Sequence, residues 1–133
     1  WCLLGHAKHV LSFEKAADVI WLRTLNPWSP EIGSGLTLTL GDIAQHIVML
    51  PGGSVDAILH DPPRFGIAGE LYSQVFYDQL ARVIKRKGKL FHYTGAPNKL
   101  TSGRDVGNEV VKRLQHAGFV ATLNGDGIFA VKK

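Results

Sequence analysis

Val55-Asp56-Ala57-Ile58-Leu59-His60-Asp61-Pro62-Pro63 is the stretch that decides the fold class. The apolar run 55–60 predicts a strand in the interior of a sheet. Pro62 and Pro63 follow at once, with a fixed φ and no amide donor, so the strand ends in a stiff loop. The sequence therefore places Asp61 at the carboxyl end of a strand.

Short apolar runs alternate with amphipathic stretches on both sides of this strand. Upstream we predict strands over 9–13 and 36–40 and helices over 16–25 and 43–50. The helix over 16–25 carries Val19, Ile20 and Leu22 on its apolar face. Downstream we predict strands over 89–94, 119–123 and 128–131, with a hairpin turn over 124–127. We also predict a helix whose apolar stripe runs from Val106 to Leu114 and which ends at Gly118.

One further helix follows the Asp61 loop. Its apolar stripe consists of Tyr72, Val75, Phe76, Leu80, Val83 and Ile84. We expect Lys85, Arg86 and Lys87 to complete its carboxyl end, where the helix dipole favours cations, and Gly88 to close it as a left-handed cap.

This order of elements predicts the α/β class, with a Rossmann-like, doubly wound, mostly parallel sheet and a C-terminal antiparallel hairpin in a single domain over 1–133. Ligands in such sheets bind beyond the carboxyl ends of the strands. The residues that follow the strands, Glu14, Asp42 and Asp61, therefore carry the functional hypothesis.

The amino-acid composition excludes only a few classes of protein. The net charge of +4 allows attraction to a phosphate-bearing partner, but it is too small to identify one, and a solvated basic surface is the favoured explanation. The single cysteine, Cys2, excludes an internal disulfide and fits a reducing, cytoplasmic setting. The six histidines lack zinc-ligand spacing, so we predict no metal site, and no apolar run is long enough for a membrane helix.

Each of the three acids has a functional and a purely structural interpretation. Glu14 can accept from both ribose hydroxyls or can serve as a charge partner for the helix that follows. Asp42 can accept from an exocyclic amine or can cap the helix at Ile43. Asp61 with the Pro62 carbonyl can orient a nitrogen nucleophile, or it can cap the loop locally.

The Asp61-Pro62-Pro63 sequence resembles the motif of class I amino-methyltransferases, which is Asp or Asn followed by Pro-Pro and an aromatic residue. Further stretches are similar to a group of predicted methyltransferases best known from archaea. They are Leu25-Asn26-Pro27-Trp28-Ser29-Pro30, His60-Asp61-Pro62-Pro63-Arg64-Phe65, Ala68-Gly69-Glu70-Leu71-Tyr72-Ser73, Leu90-Phe91-His92-Tyr93 and Gly103-Arg104-Asp105.

The resemblance implies S-adenosyl-L-methionine as the cofactor and assigns roles to matching positions. The implied cofactor-binding residues are Glu14, Lys15, Asp42, Ile43 and Asp61. The implied catalytic residues are Asp61, Pro62, Pro63 and Arg64, and Arg64 stands where an aromatic residue is usual. Its guanidinium can stack on a substrate or bind a phosphate or carboxylate. Substrate-lining candidates are Phe65, Tyr72, His92, Tyr93 and Arg104.

The family's glycine-rich first loop has no counterpart in this sequence, because Leu3 to Lys8 resembles the end of a later helix. We therefore expect a fragment without the first, central strand, prone to homo-oligomerisation and potentially inactive by itself. The primary hypothesis is methyl transfer to an unidentified acceptor (a small molecule, RNA or protein), with nitrogen as the favoured target. The alternatives are an aminopropyltransferase that resembles spermidine synthase and a non-catalytic domain that binds RNA or a protein partner.

Overall fold

The computed structural model describes residues 5–33, 35–95 and 105–133. The chain divides into two compact units, Trp1–His46 and Ile47–Lys133. The predicted substrate residue Arg104 and the cysteine Cys2 lie outside the described residues.

The first unit is a β-α-β crossover followed by a short helix. Its elements are β1 (Val10–Glu14), α1 (Ala17–Leu25), β2 (Leu36–Leu40) and α2 (Ile43–His46). The two strands pair in parallel, with Val10 opposite Leu36 and Glu14 opposite Leu40. Both predicted strands are thereby confirmed, and the parallel pairing brings their carboxyl ends side by side.

Helix α1 owes its bounds to local signals rather than to packing. Asn26 at its carboxyl end is extended, with φ −91° and ψ 111°, as the following Pro27 demands. The predicted apolar face, in contrast, is not a core face. No residue of α1 is buried, and Val19 and Leu22 are 47% and 56% exposed.

The second unit holds a four-stranded sheet with two helices. Its strands are β3 (Val55–His60), β4 (Ile84–Tyr93), β5 (Phe119–Asn124) and β6 (Gly127–Lys132), and its α-helices are α3 (Gln74–Val83) and α4 (Val106–His116). The strand order is β3-β4-β6-β5. β3 and β4 are parallel, whereas β6 is antiparallel to both β4 and β5. The predicted α/β class and the C-terminal hairpin are confirmed.

The core of this unit lies between α3, α4 and one face of the sheet. Buried side chains recur at helical spacing on α3 and α4, and alternate strand residues complete the layer. They are Phe76, Tyr77, Leu80, Val83, Val106, Val110, Leu114, Leu90, His92, Phe119, Ala121, Ile128 and Ala130. Ser73 and Asp105 cap α3 and α4 by accepting from the amides of Phe76 and Asn108, at 3.2 and 3.1 Å.

Two predicted helix details are wrong. Val75 was expected on the apolar stripe but is 72% exposed. The continuous helix over 43–50 is replaced by the four-residue α2 and a separate 3₁₀ turn at Ile47–Met49. The guanidinium of Arg82, on α3, donates to the carbonyls of Leu50 and Ile47 at 2.7 and 2.8 Å. These two carbonyls at the 3₁₀ turn therefore have a hydrogen-bond donor from α3.

The basic run after α3 is also misassigned by the sequence pattern. Helix α3 ends at Val83, and Ile84 is already extended, with φ −79° and ψ 141°. Lys85, Arg86, Lys87 and Gly88 belong to β4, and the left-handed conformation falls on Lys87, with φ 64°. Val55 pairs with Ile84 and Ala57 with Lys89, so β4 carries extra residues here that bulge out of the ladder.

Gly88 does not cap a helix. Glycine is needed there because neighbouring atoms lie too close to leave room for a side chain. A Cβ atom at this position would lie 2.6 Å from Cγ1 of Ile84, 2.8 Å from the Lys85 carbonyl oxygen and 2.9 Å from the Asp56 carbonyl oxygen. Two of these three contacts are backbone atoms, which cannot move aside without disturbing the bulge.

We predict that Gly88→Ala lowers the free energy of unfolding by about 1–3 kcal/mol, because the added methyl group overpacks the bulge. Urea unfolding followed by circular dichroism measures the loss. Gly66→Ala is the matched control, since a Cβ there meets nothing within 4 Å. An equal stability of the two variants would contradict the proposed close-approach role of Gly88.

Candidate functional site

The first unit places an acidic pair at the carboxyl ends of its two strands. Glu14 is the last residue of β1, and its carbonyl accepts from the Gly41 amide at 2.8 Å. Asp42 comes next along the chain, and its Oδ2 forms an ion pair with Nζ of Lys15 at 2.9 Å. The structure thus brings together Glu14, Lys15 and Asp42, three of the predicted cofactor-binding residues.

Both carboxylates also accept from a backbone amide just beyond their own position. Oε1 of Glu14 accepts from the Ala16 amide at 2.8 Å, and Oδ1 of Asp42 accepts from the Ala44 amide at 2.9 Å. The hydrogen bond from Lys15, then that from Ala44, lowers the pKa of Asp42 below its usual range. The capping interpretation is therefore realised for Asp42, whereas α1 has no side-chain cap at Ala16. Ile43, the fourth predicted residue of this set, begins α2 and is half-buried.

The second unit presents Asp61 on an exposed loop that leaves β3. In the described part of the chain, neither the Asp61 carboxylate nor the Arg64 guanidinium has a hydrogen bond or an ion pair, and both residues are exposed. The Tyr72 hydroxyl donates to the Pro63 carbonyl at 3.0 Å. The Arg64 carbonyl accepts from the amides of Ile67 and Ala68, at 2.8 and 3.2 Å.

A buried aromatic cluster lies directly beneath this loop. His60 and His92 contact edge to face with ring centroids 4.5 Å apart, and Tyr72 lies 5.3 Å from His92. Nε2 of His60 is 3.1 Å from the Leu71 carbonyl, and Nε2 of His92 is 2.9 Å from the Tyr77 hydroxyl. His92 and Tyr77 are fully buried, Tyr72 is 1% exposed and His60 8%.

The hydrogen-bond partners of His60 and His92 determine which nitrogen of each imidazole carries the hydrogen. A carbonyl only accepts, so His60 donates from Nε2 to Leu71, and His92 donates from Nδ1 to the Tyr93 carbonyl at 3.1 Å. Nε2 of His92 then accepts from Tyr77, whose pKa burial raises well above its usual range. Burial lowers the pKa of His60 to about 4, and burial together with His60 lowers that of His92 to about 3. Both rings are neutral at pH 7.

This burial corrects part of the predicted substrate set. Tyr72 and His92 are covered by α3 and the loop, so neither side chain offers a surface to a substrate. Phe65 is half-buried and packs against Tyr72 with ring centroids 5.5 Å apart. Tyr93 is 42% exposed and, by strand alternation, points to the sheet face opposite His92. Only Phe65 and Tyr93 keep exposed surface among the described members of the set.

One cavity of about 140 Å³ opens at the amino end of α4, beside Thr94, Asn108 and Leu123. It is well below the roughly 300–1,000 Å³ of typical small-molecule sites and does not include the Asp61 loop. Within the described ranges, no three metal-ligating side chains come together, and no helix is both long and apolar enough to cross a bilayer.

A protein-family comparison decides the identity of the chain. Residues 26–124 match the model of a family described as S-adenosyl-L-methionine-dependent methyltransferase. The chain belongs to this methyltransferase family. An uncharacterised protein of Methanocaldococcus jannaschii is 40% identical over 127 residues, which make up 92% of this chain and 44% of that protein. The chain thus spans less than half the length of this relative.

Solved structures of low sequence identity share the fold of this chain. The fibrillarin pre-rRNA processing protein of Methanococcus jannaschii has a TM-score of 0.61 at 17% identity, over 92% of this chain and 54% of its own. A spermidine synthase in complex with the transition state analogue AdoDATO has a TM-score of 0.66 at 15% identity, over 96% and 47%. MnmC2 of Aquifex aeolicus has a TM-score of 0.60 at 20% identity, over 93% and 42%.

The predicted family, Rossmann-like fold and cofactor class are confirmed by these comparisons. Asp61 lies in the other compact unit from Glu14 and Asp42, and its convergence with them on one cleft stays a prediction. Sequence reasoning missed His60 as a support of the Asp61 loop. Strand alternation could have revealed His60, because it directly precedes Asp61 and must point to the opposite face.

The two buried histidines predict that the folded chain is destabilised by acid. Their pKa values lie below the ordinary 6.5, so the unfolded chain binds more protons as pH falls. Stability is fully present above pH 6.5, is lost progressively as pH falls below 6.5, and the loss is complete once pH is below the folded-state pKa values of about 4 and 3. We expect a loss on the order of 2 kcal/mol per histidine between pH 8 and pH 5.

Urea midpoints at a series of pH values measure this loss. His60→Gln keeps a donor for the Leu71 carbonyl and should roughly halve the pH dependence. His116→Gln, which removes an exposed imidazole, is the matched control. If His60→Gln loses as much stability between pH 8 and pH 5 as the unaltered chain, the assignment of acid sensitivity to this cluster is wrong.

Proposed function

We propose that this chain acts in S-adenosyl-L-methionine-dependent methyl transfer to a nitrogen acceptor. The observation that carries the proposal is the Asp61-Pro62-Pro63 loop at the carboxyl end of β3. It presents an exposed carboxylate with no partner among the described residues, on a chain of this methyltransferase family. Carboxyl ends of strands are where this class of fold binds its ligands.

The polar side chains at the strand ends of the first unit fit the adenosine part of the cofactor. Oε1 of Glu14 is used by the Ala16 amide, whereas Oε2 has no partner in the described residues and can accept from a ribose hydroxyl. Asp42 and Lys15 provide a carboxylate edge and a cation beside it. When bound, the cofactor supplies an electrophilic methyl group, and the protein supplies binding and orientation.

The Asp61 loop fits the acceptor. An amine nucleophile donates hydrogen bonds, and the Asp61 carboxylate with the Pro62 carbonyl offers two acceptors on a stiff backbone. Fixed acceptors of this kind favour reaction by positioning, with no covalent participation of the protein. Arg64 is exposed and has no ion-pair partner in the described residues, so it is available to a phosphate or carboxylate on the acceptor.

Methyl transfer is favoured over the two alternatives from sequence. The family description names methyltransferase activity, whereas the similarity to spermidine synthase is at 15% identity and concerns the fold alone. A non-catalytic binding domain is the outcome that a failure to bind cofactor would support. The acceptor class, the cytoplasmic setting and the homo-oligomer stay predictions.

Cofactor binding is tested by calorimetric titration of the chain with S-adenosylhomocysteine. Glu14→Gln and Asp42→Asn keep an acceptor for the amides of Ala16 and Ala44 but remove the charge, and each should weaken binding about 10-fold or more. Asp56→Asn is the matched control, because Asp56 is an exposed acid whose ion-pair partner among the described residues is Lys85, at 2.7 Å. A folded chain that shows no binding would reject the proposed function for this chain.

Transfer itself is tested with methyl-tritiated S-adenosylmethionine and three acceptor fractions: RNA, protein and small amines. We expect label in one fraction, and a loss of about 100-fold or more in Asp61→Ala, because the acceptor loses its positioning carboxylate. Asp56→Ala should transfer at the rate of the unaltered chain. Equal transfer by Asp61→Ala would contradict the assigned role of Asp61.

A further inference from the structure

The loop that carries Asp61 lacks two of the backbone amide donors that usually hold a loop in place. Pro62 and Pro63 have no amide hydrogen, so neither can donate to a neighbouring backbone group. The first backbone hydrogen bonds within the loop are those to the Arg64 carbonyl. Between the end of β3 and Arg64, the described chain therefore relies on side chains to fix the loop.

Two buried side chains do so, and they bracket Asp61 and Pro62. Nε2 of His60, immediately before Asp61, donates to the Leu71 carbonyl at 3.1 Å. The Tyr72 hydroxyl donates to the carbonyl of Pro63 at 3.0 Å, immediately after Pro62. These reciprocal bonds tie residues 60–63 to residues 71–72, and we call them the clamp.

The clamp is itself anchored from below. The Arg113 guanidinium on α4 donates to the Tyr72 carbonyl, and Nε2 of Gln74 donates to the Arg113 carbonyl at 3.2 Å. The Tyr72 ring is wedged between Phe65 at 5.5 Å and His92 at 5.3 Å. Tyr72 is 1% exposed, so its ring has no freedom to swing away from the loop.

We propose that Tyr72 is a positioning residue for methyl transfer: its hydroxyl holds the Pro63 carbonyl so that the Asp61 carboxylate and the Pro62 carbonyl face the acceptor. This inference rests on the proposed function. Because Tyr72 is 1% exposed and bonds the Pro63 carbonyl, it would act through the backbone of the loop. Small displacements of positioning groups reduce turnover strongly even where binding is unaffected.

Tyr72→Phe tests the clamp because it removes one hydroxyl and keeps the buried ring. Tyr77→Phe is the matched control, since Tyr77 is equally buried but its hydroxyl bonds Nε2 of His92 and not the loop. Trypsin cleavage after Arg64, followed by mass spectrometry, reports opening of the loop. We expect cleavage about three- to tenfold faster in Tyr72→Phe than in Tyr77→Phe. Equal cleavage of the two variants overturns the clamp.

Kinetics separate positioning from general stability. In the acceptor fraction that the unaltered chain methylates, Tyr72→Phe should lower kcat about 10-fold or more while the Kd for S-adenosylhomocysteine stays within about twofold. Tyr77→Phe should keep kcat within about twofold. An unchanged kcat in Tyr72→Phe rejects the positioning role and leaves the proposed function standing. Absence of transfer by the unaltered chain rejects both, and the cleavage rates then show whether the loop is clamped at all.

Discussion

The two consecutive prolines after β3 impose the constraint on which the site depends. They stiffen the loop, but they also remove two amide donors, so neither Pro62 nor Pro63 can donate to a turn or a ladder. The hydroxyl of Tyr72 and the imidazole of His60 take over this task from the protein interior. The result is a loop that exposes Asp61 and Arg64 to solvent while its backbone is anchored in the core.

The buried histidines serve this arrangement because they are neutral. A charged imidazole beneath the loop would need a counter-ion, and the described cluster offers only hydroxyl, carbonyl and aromatic partners. Each ring keeps one donor and one acceptor, and each hydrogen bond of the cluster uses one of them. Packing against α3 and α4 then makes the support for the loop rigid.

The acidic pair of the first unit is held by strand pairing and local hydrogen bonds. Glu14 and Asp42 are held at adjacent strand ends by parallel pairing, and one oxygen of each carboxylate accepts from a backbone amide two residues on. This local hydrogen bond and ligand binding are not exclusive, because a carboxylate has enough lone pairs for both. The local bond also restrains the side chain, which reduces the entropy that a bound nucleoside would otherwise cost.

The sequence by itself determined the order of strands and helices, the hairpin, the strand-end positions of Glu14, Asp42 and Asp61, and the family. These features depend on local periodicity, on prolines and glycines, and on contiguous motifs, all of which are readable along the chain. Only the tertiary structure decided that Tyr72 and His92 are buried supports, that the basic run 85–87 lies in a strand, and that α1 has no buried face. The physical reason is that burial depends on which elements stack on one another: Tyr72 meets Pro63 and Arg113 only because α3, α4 and the loop pack together. No spacing within any one of those segments encodes that contact.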